Sequence, residues 1–196
     1  KLPQRYMISG DEIAPYLVFM NAHDGTGAIK AAMTPVRVVC QNTLNLALAT
    51  AKRSWAAHHT GDVREKMEDA RNALLYASQY MAELGKVIDR LSLQKVSDRQ
   101  VAEYIDALFP LYENPTPQQK KNLLRMKEEI RTRFYEAPDL KHVGKNAYRF
   151  VNAVSDFATH AKPLRESRNH KESLFARTIE GNTMIDRAYE LVRASA

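Results

Sequence analysis

The chain has 196 residues, of which 44% are apolar and 27% are charged, and its formal net charge is +6. These values are typical of a globular protein, and the length predicts a single domain over residues 1–196. No run approaches the roughly 18 apolar residues of a membrane span, and the first residues lack the apolar run of a signal peptide. One cysteine excludes an internal disulfide framework, so we expect a cytoplasmic protein. Because no membrane span is predicted, we expect no membrane partner.

The positive charge lies in one part of the chain. Residues 1–119 hold 13 Lys or Arg and 13 Asp or Glu, whereas residues 120–196 hold 16 and 10, which accounts for the whole net charge. Such an imbalance favours a polyanionic partner, because each phosphate contact releases condensed counterions. A solvated helical surface with a slight excess of Lys and Arg would give the same count.

Residues 1–41 are predicted to form an antiparallel β-meander. Asp24 and Gly25 are typical of a tight hairpin turn, whereas Thr34-Pro35 is expected to interrupt the returning strand as an edge, a bulge or a bend. The strand segments are Arg5–Ser9, Tyr16–Asn21, Ala28–Met33 and Val36–Cys40.

Residues 42–110 are predicted to be helical. A first helix begins at Asn42 or Thr43 and continues to Ala57, with apolar residues at helical spacing. A long helix follows at about 62–92, because its apolar residues alternate in steps of four and three, as in a heptad seam. That seam consists of Val63, Met67, Ala70, Leu74, Ala77, Met81, Leu84, Ile88 and Leu91. It requires either an antiparallel neighbour in the same chain or a partner subunit.

Two capping boxes predict the helices that follow. Ser97 with Gln100 opens a short helix that ends at Pro110, and Thr116 with Gln119 opens a longer one. The basic part, residues 111–196, continues with an amphipathic helix at Lys145–Ala161 and shorter helical pieces.

Cys40 and the histidines are the candidates for catalysis and metal binding. Cys40 could act as a nucleophile, but its alternation with Val36 and Val38 favours a buried structural thiol. A metal site could be built from His23, Asp24 and His59, although loop-tip polar residues are common without a ligand.

A polar stripe is predicted on the last amphipathic helix. Asn152, Asp156 and His160 follow one another at spacings of four. An Asp–His pair can serve as a general base, and the same pair is an ordinary interaction on a helix surface.

The basic residues form the better-supported group. Arg37 alternates with Val36 and Val38, so it must reach a wet surface or be paired, for example with Asp24 or Glu12. A sheet face carrying Arg37 and an aromatic side chain could bind single-stranded nucleic acid. The candidate nucleic-acid contacts are Arg37, Lys120, Lys121, Arg125, Lys127, Arg131, Arg165, Arg168 and Lys171.

The strings "NAHDG", "TPVRVVCQNTLNLAL", "HHTG" and "AYRFVNAVSDFATHA" resemble a phage/plasmid-like family of unknown function, found in bacteriophages, prophages and conjugative plasmids. The resemblance implies a mobile-element setting, and it supplies no catalytic residues. It also implies that the chain is the C-terminal part of a longer protein, since relatives carry an additional N-terminal region. Positions that match its motifs, with no known role, are Asn21, His23, Asp24, Arg37, Cys40, Asn42, His59, Asn152 and His160.

The sequence therefore predicts an α+β fold, in which an N-terminal antiparallel β-meander precedes a mostly helical body with one long heptad-patterned helix. The leading functional hypothesis is binding of nucleic acid, single-stranded DNA in particular, by a homo-oligomer acting in replication or recombination. A host-protein modulator that docks through the long helix is one alternative. A metal-dependent enzyme using His23, Asp24 and His59 is the other, although the residues favour a binding protein with no cofactor.

Overall fold

The computed structural model describes residues 4–20, 29–39, 43–48, 51–52, 54–57, 63–111, 113–162 and 181–195. The strands are β1 (Tyr6–Ile8), β2 (Asp11–Met20), β3 (Ile29–Arg37) and β4 (Ser54–Ala57). The helices are α1 (Val63–Leu93), α2 (Asp98–Leu108), α3 (Pro117–Glu136), α4 (Ala147–His160) and α5 (Thr183–Ala194), with a 3₁₀ turn at Pro138–Leu140. The predicted α+β fold is confirmed, with the sheet first and the helical body after it.

The four strands form one antiparallel sheet in the order β1-β2-β3-β4. The turn between β1 and β2 places Ser9 and Gly10 at φ values of 49° and 85°. In the β2–β3 ladder, Ile13 lies directly opposite Arg37. Asp11 and Ile13 alternate along β2 and therefore lie on the same sheet face as Arg37.

The helix predicted from Thr43 to Ala57 is wrong. Thr43 instead forms a β-bridge with Val36, and the backbone N–H of Leu44 donates to the carbonyl of Pro35 at 2.9 Å. Ser54–Ala57 then pairs with β3 as a fourth strand. The open edge of β3 presents backbone donors and acceptors that these residues satisfy, and this pairing overrides a weak local helix preference. The helical part therefore begins later than residue 42.

The predicted interruption at Thr34-Pro35 is also wrong, because β3 runs through both residues. Pro35 lies opposite Pro15, and its carbonyl accepts from Leu44 on the side away from β2. Val38 donates to the carbonyl of Glu12 at 2.9 Å, so the facing prolines occupy a pair that exchanges no hydrogen bonds. A proline at such a position costs the β2–β3 ladder nothing.

The C-terminal half of α1 packs into the core of its own chain. Ala77, Met81, Leu84, Ile88 and Leu91 of the heptad seam are all buried, and α1 contacts both the sheet and α4. This half of the seam confirms the intramolecular alternative. None of the described helices, α1 included, combines the length and apolarity needed to cross a bilayer.

The remaining helices surround α4, which contacts α1, α3 and α5. Phe150 of α4 packs against Tyr104 of α2 and Phe134 of α3, with ring centroids 5.2 and 6.4 Å apart. Both predicted capping boxes are confirmed, since Ser97 and Thr116 accept from the backbone N–H groups of Gln100 and Gln119. The two helices run antiparallel, because Asp98 at the start of α2 accepts a hydrogen bond from Tyr135 near the end of α3 at 2.7 Å.

Replacement of two glycines by alanine should change stability in opposite directions. Gly10→Ala should lower the free energy of unfolding by about 1 kcal/mol, because a positive φ strains any L side chain. Gly85→Ala, inside α1, should raise it by roughly 0.5–1 kcal/mol, since the new methyl group would meet Ile8 Cδ1 at an ordinary 3.7 Å. Urea unfolding at constant m-value measures both, and a loss of stability in both variants would contradict this description.

Candidate nucleic-acid interface

The predicted contact residues do not form one site. Arg37 lies in the core, whereas the α3 residues Lys120, Lys121, Arg125 and Arg131 are exposed. Arg165, Arg168 and Lys171 lie outside the described residues, and so do the motif positions Asn21, His23, Asp24, Cys40, Asn42 and His59.

Arg37 is fully buried and paired with two carboxylates. Its Nε and Nη2 donate to the two oxygens of Asp11 at 2.9 and 2.8 Å, which is a bidentate ion pair. Its Nη1 donates to Oδ2 of Asp139 at 2.8 Å, and Nη2 also donates to the backbone carbonyl of Asp139 at 3.2 Å. The guanidinium therefore connects β3, the start of β2 and the 3₁₀ turn after α3.

Two further side chains contact Asp11. The Tyr148 hydroxyl of α4 donates to Asp11 Oδ2 at 2.7 Å, and His142 Nε2 lies 3.2 Å from Oδ1. Burial, followed by the neighbouring Asp11 charge, raises the pKa of Tyr148 far above its ordinary value of 10.0. The phenol therefore stays protonated and continues to donate to the carboxylate.

The prediction that Arg37 contacts nucleic acid is wrong in this structure, because its guanidinium is enclosed and bonded to protein acceptors. The alternative of a paired arginine is correct, but with other partners than those proposed. Glu12 pairs with Arg5 instead. The hypothesis that a sheet face binds single-stranded nucleic acid required an exposed Arg37. Because Arg37 is buried, that face lacks the cation that the hypothesis assigned to it.

Arg149 is a second buried cation, and no sequence pattern indicates its burial. Its guanidinium donates to the backbone carbonyls of Phe134, Val143 and Tyr135, at 2.6, 2.8 and 3.2 Å. Burial lowers its pKa. It thus closes the C-terminal end of α3, where unpaired carbonyls favour a positive charge, and adds nothing to the basic surface.

The exposed basic residues of α3 form a defined face, which we call the α3 face: Lys120, Lys121, Leu124, Arg125 and Arg131. Lys120, Leu124 and Arg131 follow at helical spacing, and Lys121 and Arg125 lie beside them. The exposed Glu128 lies on the same side of α3, but among the described residues no carboxylate lies within ion-pair distance of the four cations. Lys127, by contrast, is largely buried and pairs with Asp106 of α2 at 2.8 Å.

The charged side chains near the N-terminus of α3 have the same sign as that end of the helix dipole. The first turn of α3 has no acidic residue, and Lys120 and Lys121 follow it directly, whereas α2 opens with Asp98. Cations near a helix N-terminus are slightly unfavourable, and they add to the positive potential of the free N–H groups. Arg131, at the other end, contributes to lowering the pKa of Asp98, behind the hydrogen bonds from Tyr135 and Lys145. The potential of the face is thus strongest at its N-terminal end.

The predicted stripe of Asn152, Asp156 and His160 is not a surface feature throughout. Asn152 is fully buried and donates to the carbonyl of Tyr148 at 2.9 Å, so its place on a polar surface stripe is wrong. Asp156 binds His160 Nδ1 and Arg133 Nε, each at 2.8 Å. These compensated charges support the helix-surface alternative. In the part of the chain that the structure describes, no cluster of three or more His, Cys, Asp or Glu could hold a metal ion.

The chain belongs to the family described as Domain of unknown function (DUF932), whose profile matches residues 1–187. No curated protein and no solved structure matches it. The family is described only as a domain of unknown function, so membership assigns no activity to this chain.

Replacement of Arg37 tests whether its role is structural. Arg37→Met should lower the free energy of unfolding by about 3–5 kcal/mol, because Asp11 would remain buried without its cation. Arg131→Met, at an exposed position, is the matched control and should change stability by less than about 0.5 kcal/mol. Chemical denaturation measures both. An Arg37→Met protein as stable as the parent would overturn the structural role.

Proposed function

We propose that the protein binds nucleic acid through the α3 face. The observation that carries the proposal is the set of four exposed cations that have no acidic partner among the described residues. Lys120 and Arg131 are 11 positions apart, or about 16 Å along the helix, a length that spans several phosphates of a nucleic-acid backbone. Several phosphates can therefore contact the face at once.

The energetics of this contact are those of phosphate neutralisation. Each cation that meets a phosphate releases a condensed counterion, so affinity is gained entropically and falls as salt rises. The dipole of α3 adds to the attraction at Lys120 and Lys121, where the helix begins. Backbone contact of this kind positions a strand without reading its sequence.

The biological setting is a separate part of the proposal. The likeness of the motif strings to phage and plasmid proteins supports a role in mobile-element replication or recombination, where nucleic-acid binding proteins act on exposed strands. The uncharacterised family is compatible with this setting.

Salt dependence tests the α3 face. Four phosphate contacts predict that log K falls with log salt with a slope of about −3 on single-stranded DNA. The double variant Lys120→Gln with Lys121→Gln should reduce the steepness by about 1.4, measured by fluorescence anisotropy with a labelled oligonucleotide. Its thermal stability should be equal or slightly higher, because two cations leave the positive end of the helix dipole.

The matched control is Lys86→Gln with Arg99→Gln, which removes two exposed cations that already pair with Glu83 and Glu103. This control should leave the slope unchanged. Absence of binding at low salt, or binding that does not weaken as salt rises, would contradict the proposed function.

A second candidate function is docking of another protein on the N-terminal half of α1. Every side chain described between residues 64 and 76 is exposed, including Leu74 at 48% and Leu75 at 55%. Leu74 belongs to the heptad seam whose later members are buried, so at Leu74 the seam lies outside the core. Such a surface suits a host protein or a second copy of the chain.

Hydrogen–deuterium exchange tests this candidate. In dilute protein, amides of residues 64–76 should exchange at least about tenfold faster than those of residues 77–91, because few buried contacts protect them. Slowing of the first group as protein concentration rises would indicate self-association. Equally slow exchange of residues 64–76 and 77–91 at high dilution would contradict docking on the N-terminal half of α1.

A further inference from the structure

A groove lies between α2 and α3, next to the α3 face. Its volume is about 250 Å³. Pockets for drug-sized ligands begin near 300 Å³, so this groove suits one small ring. It is lined by Ala102, Ile105 and Asp106 of α2, and by Leu124, Lys127, Glu128 and Arg131 of α3.

The groove combines an apolar lining with polar groups at its side. Ala102, Ile105 and Leu124 supply the apolar surface. The Asp106 carboxylate and the Lys127 ammonium lie together at 2.8 Å, and offer an acceptor and a donor to one ligand edge. Arg131 places a cation at the same groove. A nucleobase needs these features: apolar contact for its face, a donor and an acceptor for its edge, and a cation for its phosphate.

Leu124 is the residue that a purely phosphate-binding face does not explain. It is 68% exposed and lies among the four cations of the α3 face, where phosphate contact needs no apolar side chain. An exposed leucine that lines a groove and has cations beside it on the α3 face suits a ligand with an apolar surface and negative charges together. An unpaired nucleotide has this combination.

We propose that the groove between α2 and α3 holds one unpaired base, and that the α3 face therefore prefers single strands over duplex. The inference rests on the proposed function, because the phosphates of that strand would lie on the α3 face. Bases in a duplex are stacked and paired, so a duplex could offer this face only its backbone. Base contact with Leu124 and Ile105 would add to phosphate binding without changing its salt slope.

Three probes separate base contact from phosphate contact: a labelled oligothymidine, an abasic oligonucleotide of equal length and a duplex of equal length. At one salt concentration, the oligothymidine should bind roughly tenfold more tightly than the abasic strand, the effect of one lost base contact. The duplex should also bind more weakly than the oligothymidine. Equal affinity for oligothymidine and abasic strand would overturn the proposal.

Two variants locate the effect in the groove. Ala102→Leu fills the groove and Leu124→Ala removes its apolar wall, and both should lower oligothymidine affinity toward the abasic level with the salt slope kept. Leu93→Ala, at an exposed leucine on α1, is the matched control and should bind like the parent.

If Lys120→Gln with Lys121→Gln weakens binding while both groove variants bind normally, the base site is wrong and the proposed function stands. If no probe shows salt-dependent binding, the proposed function fails and this inference with it.

Discussion

The buried pair of Arg37 and Asp11 is the interaction on which the arrangement of this fold depends. It joins β3 to the start of β2, and through Asp139 and Tyr148 it joins the sheet to the end of α3 and to α4. A buried ion pair of this kind gains little net stability over an apolar pair of the same volume, but loss of one partner is costly. We therefore expect its principal effect to be specificity, because a different placement of the helical body on the sheet would separate Arg37 from Asp139 and Asp11 from Tyr148.

The sequence predicted those parts of the fold that depend on local signals. The long helix was readable because its apolar spacing is regular, and the starts of α2 and α3 were readable because each capping box lies within four residues. The fourth strand was not, since Ser54–Ala57 becomes a strand only by pairing with β3. The partners of Arg37 were likewise hidden, because Asp139 is 102 positions away and no local pattern connects them. Asp11 lay outside the predicted strand segments, because the sequence pattern placed the second strand at Tyr16–Asn21 and the structure begins it at Asp11.

The candidate site was likewise predictable only where it depends on local sequence signals. Helical spacing and charge identified Lys120, Lys121, Arg125 and Arg131, and the structure exposes all four. Sequence could not show that Lys127 is engaged by Asp106, nor that α2 and α3 leave a groove between them, because both depend on how two helices pack. The sheet version of the site failed for a related reason: a cation on an apolar strand can be paired in the core as well as placed at a wet surface.

The facing prolines of β2 and β3 have a consequence for how the sheet avoids misalignment. A slip of one residue between these strands would turn one of them over, and the nitrogen of Pro15 or Pro35 would then face a neighbour that needs a donor. The same slip would place Arg37 and Asp11 on opposite sides of the sheet. Pro15 and Pro35 therefore disfavour the slipped register during folding. In that register Arg37 and Asp11 would be separated, and each would lose its partner of opposite charge.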